Sequence, residues 1–126
     1  MKRTRSSRFL GPLEARVMAV AWKAGTPLSV RDVVDALGAT SPAYTTVMTI
    51  MSRLAEKGLL SRRPAGKAYL YEARLGEDEF LERTARRSVR KLVEDFGELA
   101  LTQFAAELDR KKPGTAERLR RLRDRS

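Results

Sequence analysis

The side chains with the clearest chemistry are hydroxyls and cations that fall on one side of a predicted helix. Thr45, Thr46 and Thr49 share the polar side of a helical wheel, Ser41 stands just before them, and Arg53 lies one turn beyond Thr49. Hydroxyls and small methyl groups let a helix approach a nucleic-acid groove and contact base edges, and guanidinium groups bind phosphate. The pattern therefore predicts a surface that binds a polyanion.

Catalytic and metal chemistry is poorly supported by the composition. The 126 residues include no histidine and no cysteine, which removes disulfides, thiolate metal ligands and imidazole bases. The sequence also lacks a nucleophile elbow and a glycine-rich phosphate loop. We therefore expect no enzymatic activity, no metal and no cofactor.

No apolar run approaches the roughly 18 residues that a membrane span needs. The basic amino terminus is not followed by the apolar segment of a secretory signal. We expect a cytoplasmic protein without membrane insertion.

The charge is strongly positive and unevenly distributed. The chain carries 26 basic and 16 acidic side chains, a net charge of +10. Residues 1–75 hold 13 basic and 5 acidic side chains, whereas residues 76–126 hold 13 basic and 11 acidic ones. This imbalance indicates a polyanion-binding domain followed by a module with another role.

Two helices are predicted before the threonine-rich segment. Pro12 suits the first position of a helix that Gly25 ends. After a short extended stretch, Ser29 is the expected N-cap of a second helix, with Asp32 completing a capping box. Gly38 is expected to end this second helix.

The third helix is predicted to start at Ser41 and Pro42 and to stop at Gly58. Two short helices joined by a tight turn, the second amphipathic, are typical of a helix-turn-helix. The apolar side of the third helix is predicted to comprise Tyr44, Val47, Met48, Ile50, Met51, Leu54 and Ala55.

A basic hairpin is predicted directly after the third helix, with strands over 59–63 and 68–71 and a turn over 64–67. This order is that of a winged helix, a mostly α-helical fold with one small β-hairpin. Contacts to the phosphate backbone are expected from Ser29, Arg31, Arg62, Arg63 and Lys67.

The remaining residues, 76–126, are predicted to form amphipathic helices that break near Gly97 and Pro113. Such narrow helices bury their apolar stripes poorly alone, so we expect a dimerisation region and a homodimer. The predicted organisation is a flexible basic arm over 1–8, a winged-helix domain over 9–75 and a helical dimerisation region over 76–126. The expected dimer residues are Phe80, Leu81, Ala85, Val89, Leu92, Phe96, Leu101, Phe104 and Leu108.

Several segments resemble the penicillinase repressor family of winged-helix regulators (BlaI/MecI type). The matching segments are LGPLEARVMAVAW, SVRDVVDAL, AYTTVMTIMSRLAEKGLLSR and GKAYLYEA, within about residues 9–75. The resemblance implies a dimeric repressor of beta-lactamase or related stress genes that binds palindromic operators in double-stranded DNA. By position, it places Thr45, Thr46 and Thr49 on the reading face and Arg53 on phosphate.

The resemblance also implies release by a membrane sensor protease, which triggers cleavage of the carboxyl-terminal arm at an Asn-Phe bond. The nearest match is Gln103-Phe104, where glutamine replaces asparagine. A design that senses copper through carboxyl-terminal cysteines is excluded by the composition.

Two other interpretations stay open at this point. A non-specific nucleic-acid-binding protein would explain the charge, and it would bind any duplex equally. A winged helix used only as a protein-interaction module would bind no duplex, although the basic wing argues against it.

Overall fold

The computed structural model describes residues 5–124, apart from the side chains at positions 116 and 119. Two compact units divide between Thr84 and Ala85. Within the described residues the elements are α1 (Pro12–Ala24), α2 (Val30–Leu37), α3 (Tyr44–Glu56), β1 (Leu60–Ala65), β2 (Ala68–Ala73), α4 (Glu77–Phe96), α5 (Glu98–Lys111) and α6 (Thr115–Asp124), with short 3-10 turns at Ser6–Phe9 and Gly38–Thr40.

The first two helices have the caps that the sequence predicts. Gly25 ends α1 in the left-handed region, with φ +64°. At α2, the Ser29 hydroxyl accepts a hydrogen bond from the Asp32 amide at 3.0 Å, and the Asp32 carboxylate accepts one from the Ser29 amide at 2.9 Å. The reciprocal bonds satisfy two amides that the helix leaves unpaired, and they confirm the predicted capping box.

The third helix starts later than predicted. Its N-cap is Ala43 and its first residue is Tyr44, so the predicted start at Ser41 and Pro42 was wrong. Ser41 is extended because a residue before proline avoids the helical region. Its hydroxyl donates to the Pro42 carbonyl at 2.8 Å.

One apolar core holds α1, α2, α3 and the hairpin together. Leu28 pairs with Tyr71 through two backbone hydrogen bonds of 2.7 Å, which adds a short third strand segment to the hairpin. The buried apolar residues are Val17, Met18, Ala21, Val30, Val33, Val47, Ile50, Met51, Leu54, Leu59, Leu60, Tyr71 and Phe80.

The start of α4 belongs to this core, which corrects the dimer role predicted for Phe80 and Leu81. Phe80 is only 9% exposed, and its ring centroid lies 5.8 Å from that of Trp22. Leu81 packs against the same cluster. The Trp22 indole donates to the Leu75 carbonyl at 2.8 Å. The winged-helix unit therefore extends past the predicted end at residue 75.

The hairpin is longer than predicted and its loop is shorter. Only Gly66 and Lys67 separate the strands, and Gly66 has φ +62°. A glycine of positive φ at the first of two loop positions is typical of a type II′ turn. Pro64, predicted in the turn, lies in β1 opposite Tyr69, as a two-stranded sheet with open edges permits.

The amino-terminal arm predicted over 1–8 is only partly within the described residues, since residues 1–4 lie outside them. Ser6 is buried within the turn Ser6–Phe9, and its hydroxyl donates to Glu77 at 2.9 Å. From Ser6 onward the structure therefore contradicts the predicted flexible arm.

The second unit contains the later part of α4 together with α5 and α6. Gly97, with φ +59°, separates α4 from α5, and Pro113 and Gly114 lie between α5 and α6, as predicted. Across the described part of the chain, every helix is too short or too polar to cross a membrane.

Candidate nucleic-acid interface

The outer face of α3 carries the predicted hydroxyls and cation. Thr45, Thr46, Thr49 and Arg53 are all exposed. The Thr49 hydroxyl donates to the Thr45 carbonyl at 3.0 Å, which restrains the rotamer and leaves the hydroxyl oxygen able to accept a further hydrogen bond. The structure thus brings these four side chains together on one solvent-facing surface.

Two apolar residues of α3 lie outside the core, contrary to the prediction. Tyr44 and Met48 are each 42% exposed. The buried side of the helix is centred on Val47, Ile50 and Leu54. At 3.6 residues per turn, Met48 is rotated away from that centre toward Thr45 and the outer face.

Arg31 lies at one edge of the α3 surface. Its guanidinium carbon is 5.2 Å from the centroid of the Tyr44 ring, within range of a cation–π contact. The ring limits the motion of the guanidinium and leaves its edge donors available for an anion. The phosphate contact predicted for Arg31 stays a prediction.

Ser29 and Ser41 are engaged with the backbone of their own turns. Ser29 caps α2, and Ser41 donates to the Pro42 carbonyl. Their hydroxyls shape the two ends of the helix-turn-helix rather than extending from it. The contact to nucleic acid predicted for each of them stays a prediction.

Arg16 was missed by sequence reasoning and connects α1 to the turn before α3. Its guanidinium donates to the Thr40 carbonyl at 2.9 Å and to the Thr40 hydroxyl at 2.7 Å. Two bonds from one group hold the turn Gly38–Thr40 in place, and with it the start of α3. No sequence signal separates Arg16 from the other arginines of the chain.

A groove of about 640 Å³ separates the start of α1 from the outer face of α3. Lys57 at its end forms an ion pair of 2.7 Å with Glu14. The hydrogen bond from Lys57 holds the pKa of Glu14 below its ordinary value of 4.5, against a partial opposition from burial. The lining residues are Gly11, Pro12, Leu13, Glu14, Thr45, Thr46, Thr49, Ile50, Arg53 and Lys57.

The wing cations do not act as one group. Arg62 is paired with Tyr71 and Arg63 with Leu70, so their side chains point to opposite faces of the hairpin. The Arg62 guanidinium lies 4.6 Å from the Tyr69 ring centroid. A side-chain hydrogen bond with Tyr71 raises the pKa of Arg62 above its ordinary value.

Lys67 is exposed at the tip of the hairpin. The Arg62 guanidinium lies against aromatic side chains, whereas Lys67 lies in the two-residue loop. The contacts to the phosphate backbone predicted for Arg62, Arg63 and Lys67 stay predictions.

The apolar residues predicted for dimerisation are mostly exposed in the second unit. The exposed ones are Ala85, Val89, Leu92, Phe96, Leu101 and Phe104, and Leu108 is half-buried. The predicted cleavage bond, Gln103-Phe104, lies in the middle of α5 with both side chains exposed. A bond in a helix must leave the helical conformation before a protease can bind it as an extended strand.

Comparison with known families gives one match that covers most of the chain. The family model described as penicillinase repressor matches residues 10–125. The transcriptional regulator BlaI of Mycobacterium tuberculosis, strain H37Rv, is 42% identical over 73 residues, which are 57% of this chain and 53% of that protein. The same protein from strain CDC 1551 gives the same values. The chain spans about half the length of the curated relatives that it matches.

Solved structures give looser likenesses. A MarR/EmrR family transcriptional regulator from Acinetobacter sp. ADP1 is 20% identical, with a TM-score of 0.46 over 93% of this chain and 78% of that one. The Giardia lamblia Hop2-Mnd1 complex gives 17% identity and a TM-score of 0.46, over 97% of this chain and 75% of that one. The winged-helix assignment therefore rests on the order and packing of this chain's own elements.

Proposed function

The chain belongs to the penicillinase repressor family, and we propose that this winged-helix transcriptional repressor binds palindromic operators in double-stranded DNA as a homodimer. The family match confirms the resemblance found in the sequence. The proposal depends above all on one observation: Thr45, Thr46, Thr49 and Arg53 are exposed together on α3. In a helix-turn-helix, the second helix enters the major groove with such a face.

Phosphate contacts are assigned to the cations around this face. Arg53 lies on α3 itself, and Arg31 lies beside Tyr44 at the edge of the helix. Arg62, Arg63 and Lys67 are the wing cations proposed to contact the phosphate backbone. Each phosphate contact adds to the salt dependence of binding because it releases condensed counterions.

Dimerisation is assigned to the exposed apolar side chains of the second unit. Val89, Leu92, Phe96, Leu101 and Phe104 are each about half-exposed in a single chain. Covering a large apolar side chain stabilises an interface by about 1.5–3 kcal/mol when burial is complete. A homodimer carries two α3 helices, one for each half-site of a palindrome.

The proposals for the regulated genes and for the release step are based on the family resemblance. We propose that the protein acts in the cytoplasm and represses beta-lactamase or related stress genes. We also propose that a membrane sensor protease system relieves this repression. Cleavage at Gln103-Phe104 requires local opening of α5, since the bond lies inside the helix. The protein itself is proposed to have no enzymatic activity.

The test is binding to the promoter region of its own gene in competition with excess random duplex. We expect protection of a short palindrome by one dimer, and random DNA should compete poorly. Equal competition by random DNA would instead support the non-specific nucleic-acid-binding alternative. Absence of binding to any duplex at low salt would support the protein-interaction alternative.

A matched pair of variants tests the assigned face. Thr49→Glu places a carboxylate on the outer face of α3, and we expect operator binding to be lost while the dimer persists. Ala19→Glu adds the same charge at an exposed position of α1 and should leave binding within about twofold of the original. Equal binding by both variants would contradict the assignment of the α3 face.

A further inference from the structure

We infer that Met48 reads the methyl group of thymine in the major groove; this inference rests on the proposed function. Met48 is 42% exposed on α3. Its helical neighbours at three and four residues are Thr45 and Ser52, so its thioether lies beside the hydroxyls of the proposed reading face. Met48 is not among the apolar residues that form the core of its unit or pack against it.

Met48 is part of a continuous apolar strip rather than an isolated exposed hydrophobe. Tyr44 lies one turn earlier on α3 with the same exposed fraction, 42%. The Arg31 guanidinium 5.2 Å from the Tyr44 ring centroid restrains that ring at the edge of the strip. The Tyr44 end of the strip is therefore restrained, whereas Met48 lies on the side of the helix that carries the threonines.

The chemistry of the major groove identifies the matching group. The C5 methyl of thymine is the apolar group that base pairs present there. The segment Tyr44–Ser52 contains no Arg, Asn or Gln, the side chains that make bidentate contacts with guanine or adenine. A flexible, polarisable thioether adapts to a methyl group without demanding a fixed hydrogen-bond geometry.

The expected loss of affinity on removal of a thymine methyl group is modest at one half-site and larger for the dimer. Burial of one methyl group corresponds to about a fourfold change in Kd. Two half-sites contacted by two copies of Met48 double the free-energy difference, which gives roughly a 15-fold change. Thr45 and Thr49 also carry methyl groups, so the test must assign the effect to Met48.

The probe is the duplex that the full-length protein recovers from a random DNA pool. Each thymine pair related by the dyad is replaced with deoxyuridine, which removes only the methyl groups. We expect one such pair whose replacement weakens binding by roughly 15-fold. The same replacement should change the Kd of Met48→Ala by less than about twofold, whereas Met48→Leu should keep most of the dependence.

Arg53→Ala is the matched control. Removal of a phosphate contact should weaken binding to the thymine and deoxyuridine duplexes by the same factor and should leave the methyl dependence unchanged. Circular dichroism checks that each variant is folded, as expected for exposed positions.

The inference is overturned if Met48→Ala retains the full loss on methyl removal, or if no thymine pair is sensitive in the original protein. Recovery of no preferred sequence from the pool is a separate result. It would overturn the proposed function itself, since a specific repressor must enrich its operator.

Discussion

Replacing Phe80 by alanine distinguishes a core role from an interface role at the start of α4. Phe80 is 9% exposed, and its ring packs against that of Trp22 with the centroids 5.8 Å apart and the planes tilted by 42°. Truncation of a buried phenylalanine costs about 3–5 kcal/mol, of which the aromatic pair accounts for roughly 0.5–1.5 kcal/mol. Because Phe80 lies at the margin of the core, we expect a loss near the lower end, about 3 kcal/mol.

The assay is urea denaturation followed by tryptophan fluorescence. Trp22 is the one tryptophan of the chain, and it contacts the altered position directly. A loss of about 3 kcal/mol should lower the urea midpoint by roughly 1–3 M. The dimer Kd, measured by sedimentation under native conditions, should stay within about threefold.

Phe96→Ala provides the opposite expectation from the same helix. Phe96 is 57% exposed in the single chain, so its removal should cost the isolated fold less than about 1 kcal/mol. The dimer Kd should rise by tenfold or more, because a large apolar contact is lost from the proposed interface. The reasoning is refuted if Phe80→Ala weakens the dimer and leaves the denaturation midpoint unchanged.

Three further predictions concern the contacts around the helix-turn-helix. Ser29→Ala should lower the free energy of unfolding by about 1 kcal/mol in urea titrations, because the cap of α2 is lost; an unchanged midpoint would contradict the capping role. Arg16→Met should weaken operator binding about fivefold to tenfold in gel-shift titrations with the dimer intact, because the turn at Thr40 loses both bonds; equal affinity would show that the turn holds without them. The lowered pKa of Glu14 stabilises the fold above pH 4.5 and this contribution disappears as pH falls through the lowered value; Glu14→Gln should therefore be less stable at pH 7 by no more than about 1 kcal/mol, with a difference that shrinks toward pH 3.

The parts of the fold that the sequence predicts well are those with local causes. The capping box at Ser29 and the left-handed glycine at Gly25 depend on residues within one helical turn, and both are confirmed. The helix breaks at Gly97 and near Pro113 are likewise local. The family was also recognisable, since the segment around α3 carries its pattern.

The errors arose where tertiary contacts decide. Phe80 fits the apolar stripe of α4, yet its ring packs against Trp22 in the core of the first unit. Trp22 comes from a distant part of the chain. Met48 has the residue type of a core position, but the helices packed on α3 cover the other side. The bonds from Arg16 to Thr40 depend on a packing geometry that spacing along the chain does not reveal.

The hydrogen bond between Ser6 and Glu77 affects when the first unit can fold during synthesis. It joins residues 71 positions apart, and Trp22 is likewise joined to Leu75 and Phe80. Such distant contacts slow folding, because loop closure must precede the gain from the contact. A nascent chain that ends at Leu75 contains every proposed DNA-facing residue but lacks Glu77 and Phe80. Its DNA-binding surface is thus complete in sequence before its core is complete, and we expect DNA-binding competence during synthesis to await the first turn of α4.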